Sequence, residues 1–551
     1  MKIERLLILV LLSYLGVFFL YPLIAILHKS LYGDGAYNLG QFISLIGDPY
    51  YLGRIWFTTW QALVSTLFTL IIGLPAAFLF AKYEFPGKTL LKAATTLPFV
   101  MPTIVVAMGF LALFGHNGLF NTFLMNIFDL DYTPINIVNS LTVIFMAHAF
   151  YNYSIVVRIV SSLWANLDPS LEETAKMLGA SSLKVFYHVT LPLLLPAIVS
   201  SALLCFAFCF TSFGVVLILG GAEFATLEVS IYELTAKLFR LPMAGALSVI
   251  QLAFTYLFLL LYARIQETSA IPINFKPREL TTRKNITVQD RLFIFGAVLI
   301  ILSITSPLIS LAIRTIFFEG VDSAAQISNL FSNERGSYFD LSPLKIVFNS
   351  LRFALCSVFI SLALGTIASY SITKSSKRTK SVRDALFMLP LGVSAVTLGF
   401  GYIISLSNPP VDIRGSWIIL VVAHSLVAYP FVIRSLLPVL QGISPNLRAA
   451  AMILGADPKR VFISIDLPLI TPALIVGATF AFAVSMGEFG ASLILVRPEF
   501  TTIPVAIFRY LGLPGAENLW NALAMSSLLM IVVAIGFIGI ERFRYKDLGS
   551  F

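Results

Sequence analysis

Charged side chains are scarce. Asp, Glu, Lys and Arg make up 12% of the 551 residues, about half their share in a soluble domain. With 58% of residues hydrophobic and a mean hydropathy of +0.90, a soluble core could not hide the apolar surface, so lipid must be the solvent. Cysteine is nearly absent. Cys205, Cys209 and Cys356 fall in apolar stretches without disulfide or metal-ligand spacing, and read as small buried hydrophobes. The formal net charge of +9 would suit a nucleic-acid partner only if the cations gathered on a soluble basic face; they lie instead in short segments between apolar runs. No His or Cys cluster and no nucleophile beside a base stands out, which leaves an enzyme reading little support. Gly87-Lys88-Thr89 looks like the end of a phosphate-binding loop, but Lys82 stands where its first glycine is required, so no Walker A loop exists.

What is present is a series of apolar runs. Taking a span as about 20 mostly apolar residues, the sequence predicts spans near 6–28, 55–81, 90–114, 136–162, 191–219 and 242–265, then near 292–316, 346–373, 385–407, 415–440, 466–496 and 520–540. The first follows Met1-Lys2-Ile3-Glu4-Arg5; it is too long for a signal-peptide core and lacks an A-x-A-like site, so it is expected to stay as a membrane span. The polar segment Lys276 to Arg291 separates two sets of six. The expected organisation is therefore an all-α membrane protein with a first repeat at 1–265, a linker at 266–291 and a second repeat at 292–551. Lys82, Lys88 and Lys92, the linker cations, Lys374 to Arg383, Lys459, Arg460 and the tail residues Arg542, Arg544 and Lys546 all fall on one side. That side, with both termini, is expected to be cytoplasmic.

The chain repeats itself. Ala147-His148, Tyr153 and Arg158 recur 276 positions later as Ala423-His424, Tyr429 and Arg434. The same shift carries Leu178-Gly179-Ala180 onto Leu454-Gly455-Ala456, Leu191-Pro192 onto Leu467-Pro468 and Phe213-Gly214 onto Phe489-Gly490. Earlier in each half the shift is 292, matching Leu97-Pro98 to Leu389-Pro390 and Gly73 to Gly365. Six spans separate matching points, so the repeats are parallel, and a pathway is expected on the pseudo-twofold axis along the membrane normal.

After the fourth span stands Leu171-Glu172-Glu173-Thr174-Ala175-Lys176-Met177-Leu178-Gly179, then nine residues, then Val189-Thr190-Leu191-Pro192. The second half has Leu447-Arg448-Ala449-Ala450-Ala451-Met452-Ile453-Leu454-Gly455, nine residues and Ile465-Asp466-Leu467-Pro468. Asp168-Pro169-Ser170 and Ser444-Pro445-Asn446 supply helix-starting chemistry, Gly179 and Gly455 can end a short helix in the left-handed conformation, and each Leu-Pro is expected to open the next membrane helix. This doubled pattern resembles the EAA loop of the permeases of ABC importers, and nearly the whole chain resembles the fused, double-length permeases of the thiamine and ferric-iron importer group. The passages Leu219 to Tyr232 and Phe114 to Leu119 look more like the thiamine branch.

The resemblance implies two copies of a cytoplasmic ATP-binding subunit that hold ATP and Mg, an extracytoplasmic substrate-binding protein, a prokaryotic inner membrane, and no cofactor or catalytic residue in this chain. It makes Glu173, Ala175, Gly179, Leu191, Pro192, Ala451, Gly455, Leu467 and Pro468 the ATPase-coupling residues. The usual acidic position is Glu173 in one copy and Ala449 in the other, which implies asymmetric coupling. Polar groups at membrane depth mark either a pathway or bonds between helices. Tyr153, Ser212, Tyr429 and Glu488 are the pathway candidates, whereas His148 and His424 are expected to hydrogen-bond between helices. One carboxylate with aromatic neighbours suits an organic cation, whereas a bare ferric ion calls for several clustered oxygen ligands, so a thiamine-like cargo is favoured over iron. The rival of another class is an ion-gradient-driven secondary transporter, which would leave the doubled loops unexplained.

Overall fold

A computed structural model describes residues 2–33, 36–37, 39–221, 223–268, 287–318, 328, 341–408 and 411–547. Residues 269–286, most of the expected linker, lie outside them. The chain is an all-α membrane protein. Its only strands among the described residues are two two-residue ribbons, Tyr32–Gly33 with Ala36–Tyr37 and Ser407–Asn408 with Val411–Asp412.

Eleven described helices are long and apolar enough to cross a membrane, and a bent pair, Thr379–Gly392 with Ala395–Ser405, makes a twelfth. Local chemistry starts several of them. Asp48 accepts the Tyr50 amide at 2.9 Å and Pro49 takes the first position of the helix Pro49–Lys82, where its missing donor costs nothing. Thr287 and Asp290 form a reciprocal capping box ahead of Val288–Ile316.

Several expected spans are broken. The third run divides at Met101-Pro102 into Lys88–Val100 and Thr103–Phe114. Its mate turns by 89° between Gly392 and Ala395. The run expected at 191–219 stops at Phe210 and resumes as Gly214–Leu219. The one expected at 466–496 stops at Met486 and resumes as Gly490–Leu495. A hydropathy count averaged over a span does not see these breaks, because the few polar residues at each, such as Thr211-Ser212 and Gly487-Glu488, are flanked by long apolar runs.

The Leu-Pro pairs also behave differently from expectation. They do not open a helix: the fifth span runs from Ser182 to Phe210 and its mate from Lys459 to Met486. Each proline is preceded by a π turn, Phe186–Thr190 or Phe462–Asp466. The wider turn moves carbonyls away from the proline ring and lets the helix continue. Of the cysteines, Cys205 and Cys209 are buried as expected, whereas Cys356 is only half-buried.

The first span of each half leans on the other half. The Tyr14 hydroxyl lies 2.6 Å from Ser425 Oγ, and the Tyr402 hydroxyl donates to the Phe18 carbonyl at 2.8 Å. The seventh span, Asp290–Ile316, packs correspondingly against Thr103–Phe114. The halves thus interlock by exchanging their first helices.

Candidate functional site

Two short helices, Pro169–Met177 and Pro445–Ile453, follow the fourth and tenth spans. An even number of spans before each puts both on one face. Asp168 accepts the Ser170 amide at 2.9 Å, and Ser444 accepts the Asn446 amide at 3.3 Å. At the far end Gly179 and Gly455 have φ of +86° and +84°. The Gly179 amide donates to the Lys176 carbonyl and the Ala180 amide to that of Ala175; Gly455 and Ala456 repeat the pattern on Met452 and Ala451. This is the paired-bond ending that glycine makes possible at a left-handed residue. Ala175 and Ala451 therefore sit where their carbonyls close the turn.

Each helix presents apolar tips outward. Met177 and Leu178 are 88% and 84% exposed, and Ile453 and Leu454 are 85% and 87% exposed. Solvated apolar tips held on rigid turns mark a contact surface. Glu173 and Ala449 are both exposed beside these tips, and Pro192 and Pro468 are exposed on the helices that follow.

Each helix is braced against the start of the next span, with the charge exchanged between halves. Glu172 accepts from Thr190 Oγ1 at 3.1 Å and lies 3.4 Å from Lys82 Nζ. At the positions of Glu172 and Thr190 the second half has Arg448 and Asp466, paired at 2.8 Å. Position and partner are conserved between the halves while the sign is reversed.

Between the halves lies a cavity of about 350 Å³, walled by all four chain breaks. Ser212, Phe213, Glu488 and Phe489 line it, with Glu228, Tyr151 and His148. Tyr153 and Tyr429, expected on the pathway, do not. Tyr153 is buried among Ala76, Phe80 and the seventh-span residues Ala297 and Ile301, and Tyr429 gives its hydroxyl to the Phe387 carbonyl. Both point into helix contacts made by the interlocked bundle.

His148 lies 2.8 Å from both Ser65 Oγ and Ser212 Oγ, joining three segments of the first half. His424 lies 2.9 Å from Ser485 and 2.8 Å from Ser492. The Ser492 hydroxyl donates to Glu488 at 2.8 Å, so His424 Nε2 must carry the proton shared with Ser492. Glu488 also accepts the amides of Ala491 and Ser492 at 2.9 Å. These histidines hydrogen-bond between helices, as polar groups inside membrane bundles do, and His148 also reaches the cavity.

Residues 69–269 match the family of binding-protein-dependent transport system inner membrane components. The sulfate transport system permease protein CysT of Salmonella typhimurium is 33% identical over 40% of this chain and 78% of its own. The chain belongs to this family, the permeases of type I ABC importers. Several relatives match along most of both chains. The thiamine transport system permease protein ThiP of Brucella abortus is 28% identical over 86% of this chain and 85% of its own. That of Escherichia coli K12 is 23% identical over 86% of each.

Among the site residues of this permease that the sequence reading passed over are Tyr151 and Glu228. Glu228 is fully buried and lines the cavity, yet in sequence it stands in a loop-like passage between spans. Its signal was the rarity of a carboxylate inside an apolar run, Ala225-Thr226-Leu227-Glu228-Val229. The ring pair Phe213 and Phe489 was visible as a repeat match but not as a contact.

Proposed function

We propose that this permease forms the translocation pathway of a thiamine importer. The observation that carries the reading is the cavity between the halves, where Glu488 and Glu228 stand among the rings of Tyr151, Phe213 and Phe489, in a chain that aligns with thiamine permeases at fused length. Carboxylates and ring faces together attract an organic cation.

Two copies of a cytoplasmic ATP-binding subunit would hold ATP and Mg and carry out hydrolysis. One copy would seat Met177 and Leu178 in its groove and the other Ile453 and Leu454, with Glu173, Ala175, Gly179, Leu191 and Pro192 on one side and Ala451, Gly455, Leu467 and Pro468 on the other transmitting closure to the spans. An extracytoplasmic binding protein would deliver cargo to the opposite face. The docking face, both termini and the 266–291 linker would be cytoplasmic in a prokaryotic inner membrane, because the cation-rich loops fall there. Glu173 without a second acidic mate at Ala449 makes the coupling asymmetric. The cycle is ATP binding, closure of the ATPase pair, outward opening and return after hydrolysis.

Uptake into vesicles carrying permease, ATPase and the cognate binding protein tests this, with labelled thiamine and labelled ferric iron offered separately. Thiamine uptake that needs ATP is expected. Iron uptake without thiamine uptake would overturn the cargo, and uptake without the ATPase would overturn the energy source. Labelling of cysteines placed at 280 or 546 from outside intact cells would overturn the orientation.

A further inference from the structure

Four rings form a ladder from one half of the protein to the other. Tyr232 and Phe213 have centroids 5.5 Å apart, Phe213 and Phe489 5.6 Å, and Phe489 and Phe508 5.5 Å. Phe213 and Phe489 are repeat mates, and so are Tyr232 and Phe508, by the same shift of 276. The middle of the ladder therefore lies on the pseudo-twofold axis. Its two central rings line the cavity, and the outer two stand behind them.

Two carboxylates flank the ladder. Glu228 lies one helical turn before Tyr232, and Glu488 directly precedes Phe489. Glu228 is 0% exposed. Its oxygens accept from the Gln251 side-chain amide and, at 2.8 Å, from the hydroxyl of Ser394 in the other half. Both partners are uncharged. Glu488, 6% exposed, accepts from two backbone amides and the Ser492 hydroxyl, with His424 Nε2 3.4 Å away. Neither has a Lys or Arg partner among the described residues. Beside them the Tyr151 hydroxyl is buried without a hydrogen-bond partner.

Glu228 has only uncharged partners and Glu488 has, of groups able to carry positive charge, only the imidazole of His424; carboxylates buried with so little positive charge beside them are costly at membrane depth and point to a cation that arrives from elsewhere. The chemistry around them narrows its class. Ring faces offer a planar stacking surface and attract positive charge, and a free hydroxyl can take one further polar group. A cavity of this volume is of ordinary size for a small organic ligand.

We infer that the cavity is a stacking site for a planar organic cation, in which Phe213 and Phe489 receive the ring and Glu228 and Glu488 balance its charge. The inference rests on the reading of this cavity as a pathway for a thiamine-like cargo and adds the residues that select it. A ligand ring between Phe213 and Phe489 replaces their mutual contact, so loading requires the halves to part at the axis, and release lets the ladder close. Glu228 is a specificity residue contributed by the first half and steadied by Ser394 of the second. Its repeat mate is Pro504, and that of Ser394 is Pro102, so this tie exists on one side only.

The test is equilibrium binding to the permease assembled with its ATPase in lipid nanodiscs, with thiamine, its uncharged planar oxidation product thiochrome, and the planar cation 1-methylquinolinium as probes. Glu228→Gln and Glu488→Gln keep the side-chain shape and are each expected to weaken thiamine binding about tenfold while changing thiochrome binding less than about twofold. A Phe213→Leu, Phe489→Leu double variant is expected to weaken both. ATP hydrolysis stimulated by the binding protein checks that each variant assembles. Equal thiamine affinity in the wild type and both Glu variants overturns the site even where thiamine uptake stands, as does the lack of saturable binding of any probe. Charge-dependent binding of 1-methylquinolinium by a complex that takes up no thiamine supports the site and overturns only the cargo.

Discussion

Phe213 and Phe489 are 276 positions apart in the chain and stack on each other across the axis that relates the two halves, with ring centroids 5.6 Å apart and planes at 28°. A contact between a residue and its own repeat mate is possible only on that axis. Separation of the halves must break it, which makes the pair a reporter of the transport cycle.

With cysteine at both positions, in a background lacking Cys205, Cys209 and Cys356, a short reducible bis-methanethiosulfonate should join the halves. Uptake by the cysteine pair, already lowered by loss of the two rings, is expected to fall about a further tenfold on linking and to return to its unlinked level on reduction. Uptake unchanged by linking would show that the halves need not part there.

The docking glycines make a second prediction. An added Cβ at Gly179 or Gly455 meets nothing within 4 Å, so any penalty there comes from backbone conformation alone, about 1–2 kcal/mol for a side chain in the left-handed region. Gly179→Val with Gly455→Val should reach the membrane at normal levels and hydrolyse ATP with its partners while uptake is largely lost. Normal uptake by a well-expressed double variant would remove these turns from the coupling path.

The reversed charges at the two braces can be exchanged. Arg448→Ala leaves Asp466, 5% exposed, without its cation and should destabilise the docking loop by about 1–3 kcal/mol, below the full cost of a buried pair because Arg448 is partly solvated. Arg448→Glu with Asp466→Thr installs the arrangement of the first half, where Lys374 holds the position of Lys82, and should recover most of the loss. Thermal unfolding in detergent of Arg448→Glu, Asp466→Thr and the double variant, as a double-mutant cycle, measures the recovery. An additive loss would mean that the pair does not act as a brace.

The same close approach holds span to span in each half. A Cβ added at Gly73 would lie 2.8 Å from Val156 Cβ, and one at Gly365 would lie 2.6 Å from Val432 Cγ1; both residues of the second pair are repeat mates of the first. Gly365→Ala should cost about 1–3 kcal/mol by overpacking, and Val432→Ala should relieve part of it. Unchanged unfolding of Gly365→Ala would show that the two helices can slide apart freely.

Much of this protein was legible before any coordinates. Composition required lipid, the cation-poor runs required a polytopic bundle, and the doubled register identified two parallel repeats. The two short helices Pro169–Met177 and Pro445–Ile453 were legible in detail because their determinants are local. A capping Asp168 or Ser444, a proline at the first position and a glycine at the left-handed position act within one turn of chain, so sequence spacing alone describes them.

The tertiary structure decided what faces what. Inside a bilayer, lipid tails are as apolar as leucine, so hydrophobic periodicity does not say which side of a helix meets protein. For that reason Tyr153 and Tyr429, plausible on a pathway by depth, proved to face helix contacts, and the first span of each half proved to lie on the other. The breaks at Met101, Ser394, Thr211 and Gly487 went unseen because the few polar residues at each are outweighed by the apolar runs on either side. Glu228 became a site residue only when the fold carried it beside Ser394, 166 positions away. Local chemistry is written in neighbouring residues; the cavity is made where non-neighbours meet, and only the packed chain brings them together.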